Sequence, residues 1–283
     1  RFDYGLSLDH VIPSYANNDT TEASDKWQDR QTLTLELAHD FLQVCKQHDV
    51  TFTPIGVAQG WDAASYAHAS RKLQKMGYSY LAVGGVASLS TKDIAECLEA
   101  INDVRDPSTQ LHLLGVSRTQ LLSSFRKWGG SSFDSTMPIR QAFKDDKHNY
   151  HTLAKDYLAL RVPMTRSSNH MRRQIRDGEI SSCEARKLEE ACMNALRRFD
   201  QGEATVDEVI QRVGSYEKAY NGRNNTAAYR RLLNDKPWKQ CSCPMCRALG
   251  IDIALLREGQ RNKRRGFHNL EVFLEKMKAI VHR

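Results

Sequence analysis

The stretch "VTFTPIGVAQGWDAASYAHASRKLQKMGYSYLAVGGVAS", Val50 to Ser88, holds two short apolar runs separated by an amphipathic segment. The flanking runs read as strands, and the middle segment spaces its apolar residues as a helix does. Strand, helix, strand in that order predicts two parallel strands joined by a crossover helix. The pattern extends in both directions. "YGLSLDHVIP" (4–13), "LHLLGVS" (111–117) and "SSFDSTMP" (131–138) read as further strands. "KWQDRQTLTLELAHDFLQVCKQH" (26–48), "STKDIAECLEAIND" (90–103) and "SRTQLLSSFRKWG" (117–129) read as helices. All five strands are expected to be buried on both faces or nearly so, as in a parallel sheet covered by its helices.

Polar residues and glycines stand at the carboxyl ends of these strands: Asp9, Gln59, Gly84 with Gly85, Gly115 and Asp134. In a β/α barrel that rim is where active sites are built. A β/α barrel built on a parallel sheet is the expected fold. The opening "RFDYGLSLDHV" has no initiator Met, no basic n-region and no apolar h-region, which fits a piece of a longer product without a signal peptide.

No apolar run approaches the length of a membrane span, so a soluble protein with no membrane partner is expected. Cys45, Cys97, Cys183 and Cys192 are scattered through helix-like stretches and suggest no disulfide framework, which points to a reducing cytoplasm. The net charge of +7 and pI near 9.0 suit a polyanionic partner.

From about Lys144 to Gln240 strand-like runs vanish and helices dominate. "SSCEARKLEEACMNALRRF" opens on serines suited to N-capping and carries Leu188, Cys192, Leu196 and Phe199 as an apolar stripe. "TVDEVIQRVGSYEKAYNG" opens on a Thr205–Glu208 capping box and closes near Gly222. Basic clusters, "MTRSSNHMRRQIR" and "YRRLLNDKPWK", fall in this block. The expected organisation is 1–143 as the barrel part with its catalytic rim, 144–235 as a basic helical insertion, and 236–283 as a metal-binding subdomain with a terminal helix.

The last segment contains "CSCPMC", with Cys241, Cys243 and Cys246, and then His268 in "RRGFHN" after twenty-one intervening residues. A redox CxxC would need neither the third cysteine nor the histidine. Three thiolates and an imidazole complete a tetrahedral zinc shell with no open position, so a structural Zn2+ is expected.

These residues together resemble the tRNA-guanine transglycosylase superfamily. CxCxxC followed by a histidine in "FHNL" is similar to the family's zinc site. "LDHVIP" resembles the segment whose aspartate reads the guanine face, here Asp9. "GVAQG" resembles the strand end with a base-recognising glutamine, here Gln59. "LAVGGVA" resembles the glycine pair whose backbone contacts the base, here Gly84, Gly85 and Val86. "LLGVS" matches the next strand, and "SFDSTMPIR" the segment with the nucleophilic aspartate, here Asp134. Arg140 stands where the family has an arginine near the nucleic-acid backbone. The resemblance covers residues 1 to about 143 and 236 to 283. It implies a (β/α)8 TIM-type barrel, and it has no match for the family's serine-glycine-glycine-phenylalanine segment with its acid/base aspartate, which lies on an earlier strand. Five strands cannot close an eight-stranded barrel, so the sequence is expected to enter it at about strand 4, with some three strands preceding residue 1. The Cys246–His268 spacing is a few residues shorter than usual.

The long basic block before Cys241 and "RNKRRGFHNL" look most like the DNA-guanine transglycosylase branch. The resemblance implies a pentosyltransferase that replaces guanine in DNA with a 7-deazaguanine base, such as 7-cyano-7-deazaguanine, through a covalent aspartyl-nucleotide intermediate. Alternatives are a tRNA-guanine transglycosylase with tRNA as substrate, and a non-catalytic zinc-binding accessory subunit. A homodimer or accessory proteins are further possible partners.

Overall fold

The computed structural model describes residues 2–13, 15, 25–116, 118, 121, 124–220, 224–257 and 259–281. The chain divides into two compact units, Arg1–Met137 and Pro138–Arg283.

In the first unit five strands form one sheet in sequence order: β1 (Tyr4–Leu6), β2 (Thr53–Ala58), β3 (Tyr80–Val83), β4 (Gln110–Leu113) and β5 (Gly130–Phe133). Every neighbouring pair is parallel. Helices α1 (Asp25–Gln47), α2 (Ala63–Met76) and α3 (Thr91–Asn102) make the first three crossovers. Asp62 caps α2 by accepting from the Ser65 backbone, and Ser90 caps α3 by accepting from Asp93. The predicted helix at 117–129 lies partly outside the described residues, and its described end is a 3-10 turn at Arg126–Trp128.

The two faces of the sheet are assigned by alternation. A Cβ on Gly56 would sit 3.0 Å from Leu73 of α2, so Gly56 and its register partner Leu81 face the helices. Ile55, Val57, Tyr80 and Ala82 pack together on the opposite face. Burial on both faces holds for β3 and for the carboxyl half of β2. It fails for β1, where Tyr4 and Leu6 are 57% and 42% exposed, and for β5, which is only half-buried. Each of these strands has a single strand neighbour among the described residues.

The second unit is mainly helical: α4 (Met137–Lys144), α5 (Asn169–Arg176), α6 (Ser182–Gln201), α7 (Val206–Tyr220), α8 (Thr226–Asp235), α9 (Pro237–Gln240), α10 (Pro244–Leu249) and α11 (Gly259–Val281). Strand structure does not vanish here, contrary to the sequence reading. Tyr150–His151 (β6) pairs antiparallel with Asp156–Tyr157 (β7), and Leu160–Arg161 (β8) pairs parallel with Leu255–Leu256 (β9). These two-residue ladders are too short to give a period-2 pattern. Ser181 caps α6 as expected, and Thr205 accepts from the Glu208 backbone at the start of α7. The predicted stop at Gly222 lies outside the described residues.

One apolar cluster joins the helices to the cysteine segment: Leu196, Phe199, Val209, Leu232 and Trp238 belong to the same core as Cys243, Cys246 and Ile253. Among the described residues no helix is long and apolar enough to cross a membrane.

Candidate active site and metal centre

The carboxyl ends of the parallel strands all lie at one edge of the sheet. Asp9 follows β1, Gln59 follows β2, and Gly84 and Gly85 follow β3. The structure brings these four into contact. Gln59, 1% exposed, donates from Nε2 to Asp9 Oδ2 at 2.5 Å. Its Oε1 accepts from the Ile12 backbone at 3.5 Å. Gln31 of α1 donates to the Gln59 carbonyl at 2.7 Å and to the Ser65 carbonyl at 3.1 Å, fixing the strand end to the start of α2.

The glycine pair makes room for the Gln59 amide. A Cβ on Gly84 would lie 2.4 Å from Gln59 Nε2, and one on Gly85 would lie 2.6 Å from Gln59 Oε1. Gly85 also has φ of 76°, where a side chain is strained. Tyr66 of α2 holds the segment by donating to the Gly84 carbonyl at 2.8 Å. Val86 starts the following 3-10 turn and is fully buried.

Asp134 follows β5 at the same sheet edge, with its side chain 55% exposed. Its Oδ1 accepts from the Gly115 backbone N–H at 2.9 Å. Gly115 reaches that orientation with φ of 74°. Among the described residues no hydrogen bond ties Asp134 to Asp9 or Gln59. Arg140 is exposed on α4, in the second unit.

Sequence reasoning missed the residues that support Asp134. His112 of β4 faces its Oδ1 from Nε2 at 3.4 Å. Nδ1 of the same ring lies 2.6 Å from Ser132 Oγ, which in turn is 2.5 Å from the Tyr80 hydroxyl. A polar residue inside the otherwise apolar "LHLLG" was the available signal.

In the second unit the four predicted ligands converge. One donor atom from each of Cys241, Cys243, Cys246 and His268 lies within 4.8 Å of the others. His268 Nδ1 is 3.3 Å from Cys243 Sγ, 3.4 Å from Cys246 Sγ and 3.8 Å from Cys241 Sγ. Zinc bonds of about 2.3 Å to sulfur and about 2.0 Å to nitrogen give a tetrahedral edge of about 3.5 Å. The donor set therefore fits a tetrahedral ion.

The tautomer fits too. His268 Nε2 donates to the His151 carbonyl at 2.8 Å, which leaves Nδ1 unprotonated and directed at the sulfurs. Tyr150 stacks on the imidazole with ring centroids 4.6 Å apart. Burial pushes His268 down to about 4, so the ring is neutral, as a ligand must be. Burial also pushes the Cys241 and Cys246 thiols up, so their ionisation calls for a cation among them.

No family model matches the chain. It is 39% identical, over 289 aligned positions, to a DNA-guanine transglycosylase of Salmonella montevideo, a match covering 99% of this chain and 69% of that protein. Identity at this level along nearly the whole chain shows that it belongs to the guanine transglycosylase family, in the DNA-guanine transglycosylase branch.

Proposed function

We propose that this protein exchanges guanine in DNA for a 7-deazaguanine base such as 7-cyano-7-deazaguanine. The observation that carries the reading is the 39% identity to a DNA-guanine transglycosylase. The cluster of Asp9, Gln59, Gly84 and Gly85, with Asp134 at the same sheet edge, supplies residue types suited to that chemistry. The five strands are read as part of a (β/α)8 barrel rim.

Asp134 is the nucleophile. Its carboxylate attacks C1′ of the target deoxyguanosine, and the C1′–N9 bond breaks as guanine departs with the electron pair and is protonated at the base. The resulting aspartyl ester is opened when the incoming base attacks C1′ through its own ring N9, which gives up its proton to solvent. The C1′–O bond then breaks and Asp134 regains its carboxylate. Carboxylate charge also stabilises the oxocarbenium character that develops at C1′.

Asp9 and Gln59 read the hydrogen-bonding edge of the base, and the backbone from Gly84 to Val86 meets its plane. Reaching that base in a duplex requires flipping it out of the stack. Arg140 and the basic helical block 144–235 would hold the phosphates. Cys241, Cys243, Cys246 and His268 would hold a structural Zn2+, which supplies no chemistry to the exchange and fixes segment 236–283.

The test offers the protein duplex DNA and tRNA in parallel, with labelled 7-cyano-7-deazaguanine. Label is expected in DNA alone, and Asp134→Asn should abolish it while leaving folding and zinc content intact. Incorporation into tRNA alone would overturn the DNA assignment.

A further inference from the structure

The environment of Asp134 begins with an irregularity in the sheet. Leu111 pairs with Gly130, but the next residue, His112, pairs with Ser132. Ser131 is therefore an extra residue, a bulge in β5. Successive side chains of a regular strand point to opposite faces. Across this bulge both serines reach one group: Ser131 Oγ is 2.9 Å and Ser132 Oγ 2.5 Å from the Tyr80 hydroxyl. Ala82 is the register partner of His112, so His112 shares the face of Tyr80 and Ala82, away from the helices.

The polar groups form one line: Ser131, Tyr80, Ser132, His112, Asp134. Each hydroxyl has one proton to donate. If Ser131 donates to Tyr80, then Tyr80 donates to Ser132 and Ser132 to His112 Nδ1. A neutral ring then carries its proton on Nε2, toward the carboxylate. If Ser131 turns instead to the Leu111 carbonyl, 3.2 Å away, the order reverses, Nδ1–H donates to Ser132, and a neutral ring leaves Nε2 bare. The first order is the one that puts a donor on Nε2. A carboxylate only accepts, so Nε2–H facing Asp134 Oδ1 at 3.4 Å is the matched arrangement. Such a contact tightens when substrate closes the site.

Both donors converge on one carboxylate oxygen. Oδ1 takes the Gly115 N–H and faces His112, whereas Oδ2 has no hydrogen-bond partner among the described residues. An oxygen that accepts hydrogen bonds is the weaker nucleophile.

We propose that His112, set by the Ser132–Tyr80 relay, is a positioning residue for the nucleophile: it anchors Asp134 Oδ1 so that Oδ2 is the attacking oxygen. The proposal rests on Asp134 being the nucleophile. His112 acts through Asp134, and its loss lowers the rate of attack without weakening DNA binding.

The experiment measures single-turnover formation of the covalent protein–DNA adduct on duplex DNA, trapped by denaturation, across DNA concentrations. Removing an orienting partner of this kind costs about 10- to 100-fold. His112→Phe, which keeps a ring but loses the donor, is expected to lower the maximal rate by that factor and leave the half-saturating DNA concentration unchanged. His112→Gln places an amide N–H near Nε2 and should recover most of the rate, and Ser132→Ala should fall between. Wild-type adduct formation by His112→Phe, or a His112→Gln chain as slow as His112→Phe, overturns the relay. Adduct formation by Asp134→Asn overturns the nucleophile reading beneath it, so the two failures are distinguishable.

Discussion

His268 gives its Nε2 proton to the backbone carbonyl of His151, 2.8 Å away, and so presents a bare Nδ1 to three sulfurs. The ring is buried, stacked on Tyr150 and neutral, so it is committed to ligation before any ion arrives. His268→Ala should therefore lower zinc per protein chain, measured by elemental analysis, and lower the melting temperature. Structural zinc in small modules is worth on the order of 10–16 kcal/mol apparent. Here the cysteines share a core with Leu196, Phe199 and Trp238, so loss of the ion should loosen the region without unfolding the chain. Unchanged stoichiometry in His268→Ala would remove it from the shell.

Gly84 supplies the second prediction. A methyl group there meets Gln59 Nε2 at 2.4 Å, and Gln59 is buried with its Oε1 near the Ile12 backbone N–H. The amide must shift, breaking its bond to Asp9. Losing a buried polar pairing costs about 1–3 kcal/mol, or about 5- to 150-fold. Gly84→Ala is expected to raise KM for the incoming base by that factor, with the fold retained by circular dichroism. An unaltered KM would show that Gln59 does not read the base.

Much of the first unit was legible because its apolar residues obey simple periods. Ile94, Leu98 and Ile101 of α3 are all fully buried, as helical spacing requires. The convergence of Cys241, Cys243, Cys246 and His268 was legible because thiolate and imidazole residues at this spacing have few other uses. His112 was marked only as a polar residue in an apolar strand; what it faces depends on a bulge at Ser131, a pairing event between strands that the sequence of neither strand records. Arg265 was hidden differently. In "RNKRRGFHNL" it looks like one more surface cation, yet it is fully buried while Phe267 is 56% exposed. Helical phase decides this: Arg265, His268, Asn269 and Val272 share the inner face of α11.

That buried guanidinium is itself testable. Arg265 donates to the backbone carbonyls of Ala142, Asn149 and Leu255 and to Asn262. Burial pushes it down only to about 10, so it stays charged at neutral pH. Arg265→Met removes a buried donor from each of these acceptors, of which Asn149 keeps a bond from Asn269, and should destabilise the protein by on the order of 3 kcal/mol, read from denaturant unfolding. Arg265→Lys should not restore stability, because one ammonium cannot span the same fork of acceptors. DNA affinity measured under native conditions should be unchanged. Near-wild-type stability of Arg265→Met would contradict this account.

The cations of α5 face the other way. Met171 is buried and Ile175 half-buried, which turns Arg172, Arg173 and Arg176 outward, with exposed Arg166 just before the helix. Arg176 pairs with Asp177 and Arg172 donates to Asn169, so neither is tied to the core. On a duplex, each phosphate neutralised by such a group releases condensed counterions and adds about 0.9 to the slope of log K against log salt. The chain with Arg172, Arg173 and Arg176 replaced by alanine should keep its melting temperature and zinc content. Its DNA affinity should fall, with the salt slope lower by about one for each phosphate no longer neutralised. Weakening should be uniform across DNA sequences, since groups that meet only phosphates carry no base information. An unchanged slope would place the DNA on another face.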